Sequence, residues 1–361
     1  MMHIGLSVTP FGHHPAAWRG KSGGIAALDA RHLAAQVQKA QDGGLDFVFF
    51  ADHQGRRPID DLSPQTVPFE PTMLVAALAT VARRIGFVAT AAMGQHEPYN
   101  LARRLASLDT ISQGRTGWNA VPTGEAERDR EYIEVVSGLW DSWEDDAFIY
   151  DKAAGRFFVP EKMHVLDHAG PHFTVRGPLN VNRSPQGKPV LALVVTPETE
   201  DLAARSAELA FLSGDALEAT TAAAKSLRGL AQAQGRKPSD IRILATIMPW
   251  VGATGAAAQE GFDRLNGLQP RDRAISEGCD LIGTADDIAD RLQAAFEGGG
   301  LDGFTVLPPL APEGVDSFVD LVVPELRRRG VFRQSYEGAT LRDHLFLDRP
   351  AHPAAKRREC A

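Results

Sequence analysis

Residues 85–121 carry the pattern that decides the fold: Ile85-Gly86-Phe87-Val88-Ala89-Thr90-Ala91, then Pro98-Tyr99-Asn100-Leu101-Ala102-Arg103-Arg104-Leu105, then Gly114-Arg115-Thr116-Gly117-Trp118-Asn119-Ala120-Val121. Two short apolar runs flank a segment whose apolar residues Leu101, Leu105, Leu108 and Ile111 recur at steps of three or four. That is the period of a helix with one buried face. Pro98 suits a first helical turn and Gly114 a helix end. The stretch therefore predicts strand, helix and strand, the crossover unit of a parallel sheet.

The unit repeats in both directions. Further strands are predicted at His3–Thr9, Leu45–Ala51, Pro189–Val195, Leu209–Ser213, Ile241–Pro249 and Leu301–Leu307, eight in all with Ile85–Ala91 and Thr116–Val121. Helices are read from Leu33, Val37 and Ala40, from Leu74, Leu78 and Val81, and from Ile288, Leu292 and Phe296, with Pro71 opening one and Gly43, Gly298 and Gly330 suited to ends. Eight such units form a (β/α)8 barrel if the sheet closes and a doubly wound sheet if it stays open. No Gly-x-Gly-x-x-Gly follows the first strand, which weakens a dinucleotide-binding sheet and favours the barrel. A chain of 361 residues admits two or three domains of ~150 residues or one large barrel. The strand count selects one barrel domain over residues 1–347. Residues 144–183, rich in Asp, Gly, Pro and His, are an insertion between strands four and five, with a β-hairpin turning around Gly170. Residues 348–361 read as a flexible C-terminal tail.

Composition narrows the function. Lys and Arg total 38 against 46 Asp and Glu, a net charge of -8, which argues against a nucleic-acid partner. Two cysteines, Cys279 and Cys360, supply neither a disulfide framework nor a four-ligand zinc site, and Cys279 reads as packing. A reducing, cytoplasmic location is expected. No stretch approaches the ~18 unbroken apolar residues of a membrane span, and Met1–Thr9 runs into strand residues without a basic leader.

Barrels put functional groups at the carboxyl ends of their strands. Those ends carry Phe11, His13, His14, Trp18 and Arg19; then Asp52 and His53; then Thr90, Gln95 and His96; then Asn119 and Thr123; then Thr196. Each has a plainer reading. Asp52 suits a turn or cap, His13 and His14 a solvated loop, and His96 a backbone contact before Pro98. Asn119, inside an apolar strand, must be hydrogen-bonded by a structural network or by a ligand. No His pair has metal-binding helical spacing, so no metal is expected, and neither a Gly-x-Ser-x-Gly elbow nor a P-loop is present.

The run Gly114-Arg115-Thr116-Gly117-Trp118-Asn119-Ala120-Val121 resembles the GRxGWN-V signature of bacterial-luciferase-like flavin-dependent monooxygenases, in the branch of the nitrilotriacetate, dibenzothiophene-sulfone and pristinamycin-type enzymes. His13-His14-Pro15-Ala16-Ala17-Trp18-Arg19, Phe47–Asp52, Glu97–Arg103, Ser107-Leu108-Asp109, Arg176–Asn180, Val322–Gly330 and Tyr336-Glu337-Gly338 match in the same order, so the resemblance spans nearly the whole chain. It implies a (β/α)8 barrel that takes reduced FMN (FMNH2) from a separate NAD(P)H:flavin reductase. With O2 the flavin forms a C4a-(hydro)peroxide that oxygenates a small-molecule or carrier-tethered substrate. Carried over by position, Asp52, Thr90, Asn119 and Thr196 are the cofactor-binding residues. Phe11, Trp18, His53 and His96 line the substrate side, and His14 is the candidate catalytic group. Relatives commonly pair, which implies a homo- or heterodimer.

Three departures qualify this. A His-x-x-x-Tyr pair after GWN, which helps hold FMN in the family, is missing, since Pro122–Glu127 leads straight into the next helix. The phosphate-cradling Ser before Glu-Ala-Gly is replaced by Thr196-Pro197-Glu198-Thr199, where Thr196 suits an N-cap but Glu198 and Glu200 oppose a phosphate. A helical excursion after strand seven is reduced to Gln269–Cys279. The enzyme reading therefore has a rival, a barrel without catalysis that serves as a structural or regulatory partner subunit. A deazaflavin-dependent relative is disfavoured by the GWN and Val-Val-Pro-Glu-Leu matches.

Overall fold

The computed structural model describes residues 1–20, 28–52, 69–268 and 278–354. Nine parallel strands form its main sheet: β1 (His3–Ser7), β2 (Phe47–Phe50), β3 (Gly86–Ala92), β4 (Thr116–Val121), β5 (Val190–Val195), β6 (Leu209–Leu212), β7 (Arg242–Val251), β8 (Cys279–Gly283) and β9 (Gly303–Val306). Eight of them close in the order β1-β2-β3-β4-β5-β6-β7-β9, with β6 against β7 and β9 back against β1. The predicted barrel is present, and each predicted strand end lies within two residues of the observed one.

β8 has no counterpart in the sequence reading. The first half of the ten-residue β7 pairs with β6 and β9, and its second half, Ile247–Val251, pairs with β8. β7 thus runs on past the end of β6 and carries its last residues above the barrel.

The helices bury the faces their spacing predicts, with two exceptions. Leu33, Val37 and Ala40 of α1 (Ala30–Asp42) are buried, as are Leu74 and Leu78 of α2 (Pro71–Leu78) and Leu101, Leu105 and Leu108 of α3 (Pro98–Ile111). Val81 falls beyond α2, and Ile111 closes α3 facing water; both are exposed. Pro71 and Pro98 stand in first turns as expected. α4 (Ala126–Leu139) follows β4 and α5 (Glu200–Ser206) follows β5.

Alternation along the strands divides the core in two. Leu6, Val48, Phe87, Ala89, Trp118 and Ala120 pack outward on the helices. Phe47, Phe49, Val88, Val190, Leu209, Phe211 and Leu244 face inward, joined by Leu341, Leu345 and Leu347 from the end of the chain. Those leucines cork the amino end of the barrel, and glycines admit them. A Cβ on Gly86 would lie 2.5 Å from the Leu341 side chain, and one on Gly117 would lie 3.3 Å from it.

Two buried carboxylates fix this floor. Asp109 accepts Thr116 N–H at 2.9 Å and Gln186 Nε2 at 2.8 Å, together with the Ser184 hydroxyl. Asp46 accepts Ile4 N–H at 2.7 Å, with His3 at 3.0 Å and Arg333 beside it. The quoted signature serves mostly this end. Arg115 donates to Ala82 O and Ile85 O at 2.9 and 2.6 Å, and Trp118 Nε1 donates to Ala91 O at 3.0 Å.

The insertion holds two antiparallel hairpins. His168–Ala169 pairs with Thr174–Val175 around Gly170, as predicted, and Phe148–Asp151 pairs with Arg156–Phe158, which the sequence reading lacks. Glu131 of α4 binds the first of these by accepting His172 N–H at 3.0 Å and Phe173 N–H at 2.9 Å. The expectation of a flexible tail needs correction over its described part, residues 348–354. Arg349 reaches Asp145 at 3.0 Å, Pro350 O accepts Arg183 at 2.7 Å, and His352 donates to Asp141 O at 2.9 Å.

Two floor groups titrate in opposition. Burial pushes the Asp109 carboxyl up to about 6, and burial pushes the His344 imidazole down to about 4. Between pH 4 and 6 folded Asp109 holds a proton that the unfolded chain has lost, so its term lowers stability as pH rises. Over pH 4 to 6.5 unfolded His344 holds the extra proton, so its term raises stability. In Asp109→Asn the opposing aspartate term is gone, and unfolding free energy should gain about 2 kcal/mol more than wild type from pH 4.5 to 6.5. Denaturant midpoints at the two pH values check this, and an unchanged slope refutes it.

Candidate functional site

Above the apolar floor the inward positions become polar. Thr90 of β3 stands opposite Asn119 of β4 in register, and Asn119 Nδ2 donates to Thr90 Oγ1 at 3.1 Å. Asn119 is 3% exposed, and its Oδ1 has no partner. Ser7 Oγ and Thr305 Oγ1 are also buried without partners. Both belong to the lumen face. Ser7 lies two residues from Gly5, whose Cβ would meet the inward Phe47 ring at 2.2 Å, and Thr305 is the register partner of Gly5. A buried polar atom left unpaired costs about 1–3 kcal/mol. Three such oxygens in one lumen suit a ligand that brings its own N–H or O–H donors.

A cleft of about 410 Å³ leads outward from Asn119 between the β4–α4 and β5–α5 turns. Asp129 of α4 shapes one wall by accepting Thr123 N–H at 2.9 Å, Gly124 N–H at 3.0 Å and the Thr123 hydroxyl at 2.7 Å. Thr196 lies on the other wall but caps no helix. α5 begins at Glu200, behind Thr199, and the Thr196 hydroxyl donates to Glu198 Oε2 at 2.6 Å. That bond holds the exposed Glu198 carboxyl below its ordinary range. The expected N-cap fails because α5 opens behind Thr199, three residues on, and the Thr196 hydroxyl donates to Glu198 instead of turning its oxygen to accept from helix N–H groups.

Across the lumen, His14 is buried, and both ring nitrogens are engaged. Nδ1 accepts Ala16 N–H at 3.2 Å, so Nε2 carries the proton and donates to Asn266 Oδ1 at 3.1 Å. The ring meets Trp250 edge-on at 5.6 Å, and Trp250 Nε1 donates to Asp280 Oδ1 at 2.8 Å. Burial holds the His14 imidazole below its ordinary value, Asn266 and Asp280 opposing, and burial raises the Asp280 carboxyl. Sequence reasoning missed Trp250 and Asp280. The available signal was the alternation in Cys279-Asp280-Leu281-Ile282-Gly283, which buries every second residue.

The remaining predicted residues spread around the rim. Asp52 is half-buried just past β2, Phe11 is half-buried, and Trp18 is 52% exposed. His96 offers its carbonyl to the Tyr132 hydroxyl at 2.8 Å. His53 and residues 269–277 lie outside the described residues. Asn119, Thr90 and Thr196 are thus brought to one side of the mouth, and His14 joins a separate cluster with Trp250 and Asp280. Cys279 is buried in the core, as predicted. Among the described residues no helix is long and apolar enough to cross a membrane.

Comparison with known proteins agrees with this architecture. The luciferase-like monooxygenase family model matches residues 7–295, and the chain belongs to that family. It is 35% identical to N-acetyl-S-(2-succino)cysteine monooxygenase of Bacillus subtilis and 34% identical to nitrilotriacetate monooxygenase component A of Aminobacter aminovorans, each alignment covering 98% of both chains. The solved EDTA monooxygenase of Chelativorans sp. BNC1 superposes with a TM-score of 0.84 at 29% identity, over 97% of this chain and 99% of that one. The first alignment runs over 435 positions against a chain of 361 residues, so at least 74 have no counterpart here.

His14 should be observable as a neutral imidazole protonated at Nε2. Nitrogen NMR of histidine-labelled protein at pH 6.5 should show that tautomer, with protonation only at lower pH. A cationic ring at pH 6.5 would contradict the geometry.

Proposed function

We propose that this member of the luciferase-like monooxygenase family is the oxygenase of a two-component system. It binds reduced FMN made by a separate NAD(P)H:flavin reductase and uses O2 to place one oxygen atom in a small organic substrate. The observation that carries this reading is the layer of unpartnered oxygens on Asn119, Ser7 and Thr305 above an apolar floor. A reduced flavin ring is flat, largely apolar and edged with N–H groups, which suits such a layer. When bound, it supplies the two electrons that let one atom of O2 enter the substrate and the other leave as water.

The chain's own work is to orient and exclude. Asn119, fixed by its bond to Thr90, turns its carbonyl oxygen toward ligand donors. Phe49 and Phe211, with ring centroids 5.0 Å apart, keep water from below, where it would intercept an oxidising species. Asp52 lies at the end of β2 on the ring side. On the substrate side His14 offers the Nε2 proton that rests on Asn266, and a substrate oxygen competing with Asn266 would take it. A hydrogen-bonded proton on a neutral ring positions an acceptor without adding charge.

A second reading, a partner subunit without catalysis, draws support from the 74 or more aligned positions that this chain lacks. Anaerobic titration with reduced FMN separates the two. Saturable binding supports the oxygenase, with Asn119→Ala and Asp52→Ala each weakening it about tenfold, or ~1.4 kcal/mol, and Cys279→Ala leaving it unchanged. No saturation by reduced FMN or by reduced riboflavin up to high micromolar concentration favours the subunit reading.

A further inference from the structure

The cleft running outward from Asn119 has the wrong charge for a phosphate. Its lining includes three carboxylates, Asp129, Glu198 and Asp201, against one guanidinium, Arg130, and of the three Asp201 is paired with Arg205 Nε at 2.7 Å. Arg130 is held by Glu127, Nη2 to Oε1 at 2.5 Å. Donors that would otherwise receive an anion point elsewhere. The Thr196 hydroxyl is on Glu198, and Thr196 N–H is on Thr199 Oγ1 at 2.8 Å. The Thr199 hydroxyl is on Val194 O at 2.9 Å, and the Thr123 and Gly124 amides are on Asp129. The inner end of the cleft asks for a donor as well. Asn119 Oδ1, on a side chain 3% exposed, borders it with no partner.

An acceptor at the inner end and carboxylates at the outer end suit a chain of hydroxyl groups, each of which can donate. They repel a dianion. Resting on the oxygenase reading above, we infer that this chain holds a reduced flavin by its ring and ribityl hydroxyls and discriminates against the terminal phosphate. Riboflavin, which ends in a hydroxyl, therefore binds more tightly than FMN. The repulsion from the exposed Glu198 and Asp201 is screened by salt, over about 10 Å at 0.1 M and about 3 Å at 1 M.

The test measures anaerobic dissociation constants for reduced riboflavin and reduced FMN at about 20 mM and about 500 mM salt. At low salt riboflavin should bind at least tenfold more tightly. Added salt should narrow the gap by tightening FMN and leaving riboflavin in place. The double variant Glu198→Gln, Asp201→Asn, on exposed side chains, should narrow the gap at low salt in the same way. FMN binding as tightly as riboflavin at low salt, or weakening as salt is added, overturns this inference alone. No saturable binding of either flavin overturns the oxygenase reading and this inference with it.

Discussion

The barrel depends on one steric allowance. Leu341 enters the floor where Gly86 and Gly117 have no side chains, and a Cβ at Gly86 would lie 2.5 Å from it. With Leu345 and Leu347 it fills the amino end with hydrocarbon, so no ligand can bind there. The carboxylates around this floor, Asp109 and Asp46, gather backbone and side-chain donors from segments far apart in sequence. The unpaired oxygens of Ser7, Asn119 and Thr305 lie above it. The position of the site is a consequence of how the floor is sealed.

The same logic changes the meaning of the GRTGWN signature. Arg115 satisfies carbonyls behind α2, Gly117 makes room for Leu341, and Trp118 packs among the helices. Asn119 alone looks into the lumen with an atom to spare. The motif is mainly a device for building β4, and it delivers one functional group. That is why it marks the family so well and says so little about the substrate.

Strand positions were legible because period and punctuation are local properties. Eight runs of apolar residues between Pro-opened and Gly-closed helices left little choice of fold. β8 escaped because five residues beginning with Cys279 and ending with Gly283 give a weak alternation, and the pairing that makes them a strand comes from the extended end of β7. With β8 went Asp280, and with Asp280 the cluster around His14. Thr196 failed in a different way. Its hydroxyl could accept from helix N–H groups or donate to a nearby carboxylate, and only the folded turn shows that it donates to Glu198. Asn119 sat between both outcomes, since burial demanded partners and the fold supplies one for its amide and none for its carbonyl. Charge, by contrast, could be read in part: Glu198 lines the outer cleft, while the sequence reading named Glu200 beside it and the cleft is lined instead by Asp129 and Asp201.

The contacts of residues 341–352 also bear on the order in which the molecule can be made. Leu341, Leu345 and Leu347 close the barrel floor, and Arg349, Pro350 and His352 clamp the inserted hairpins through Asp145, Arg183 and Asp141. The first strands and the insertion in the middle of the chain are thus both completed by residues 341–352, through contacts of high sequence separation. Sealing the base and clamping the hairpins are coupled, and loosening this one segment would open two distant parts at once.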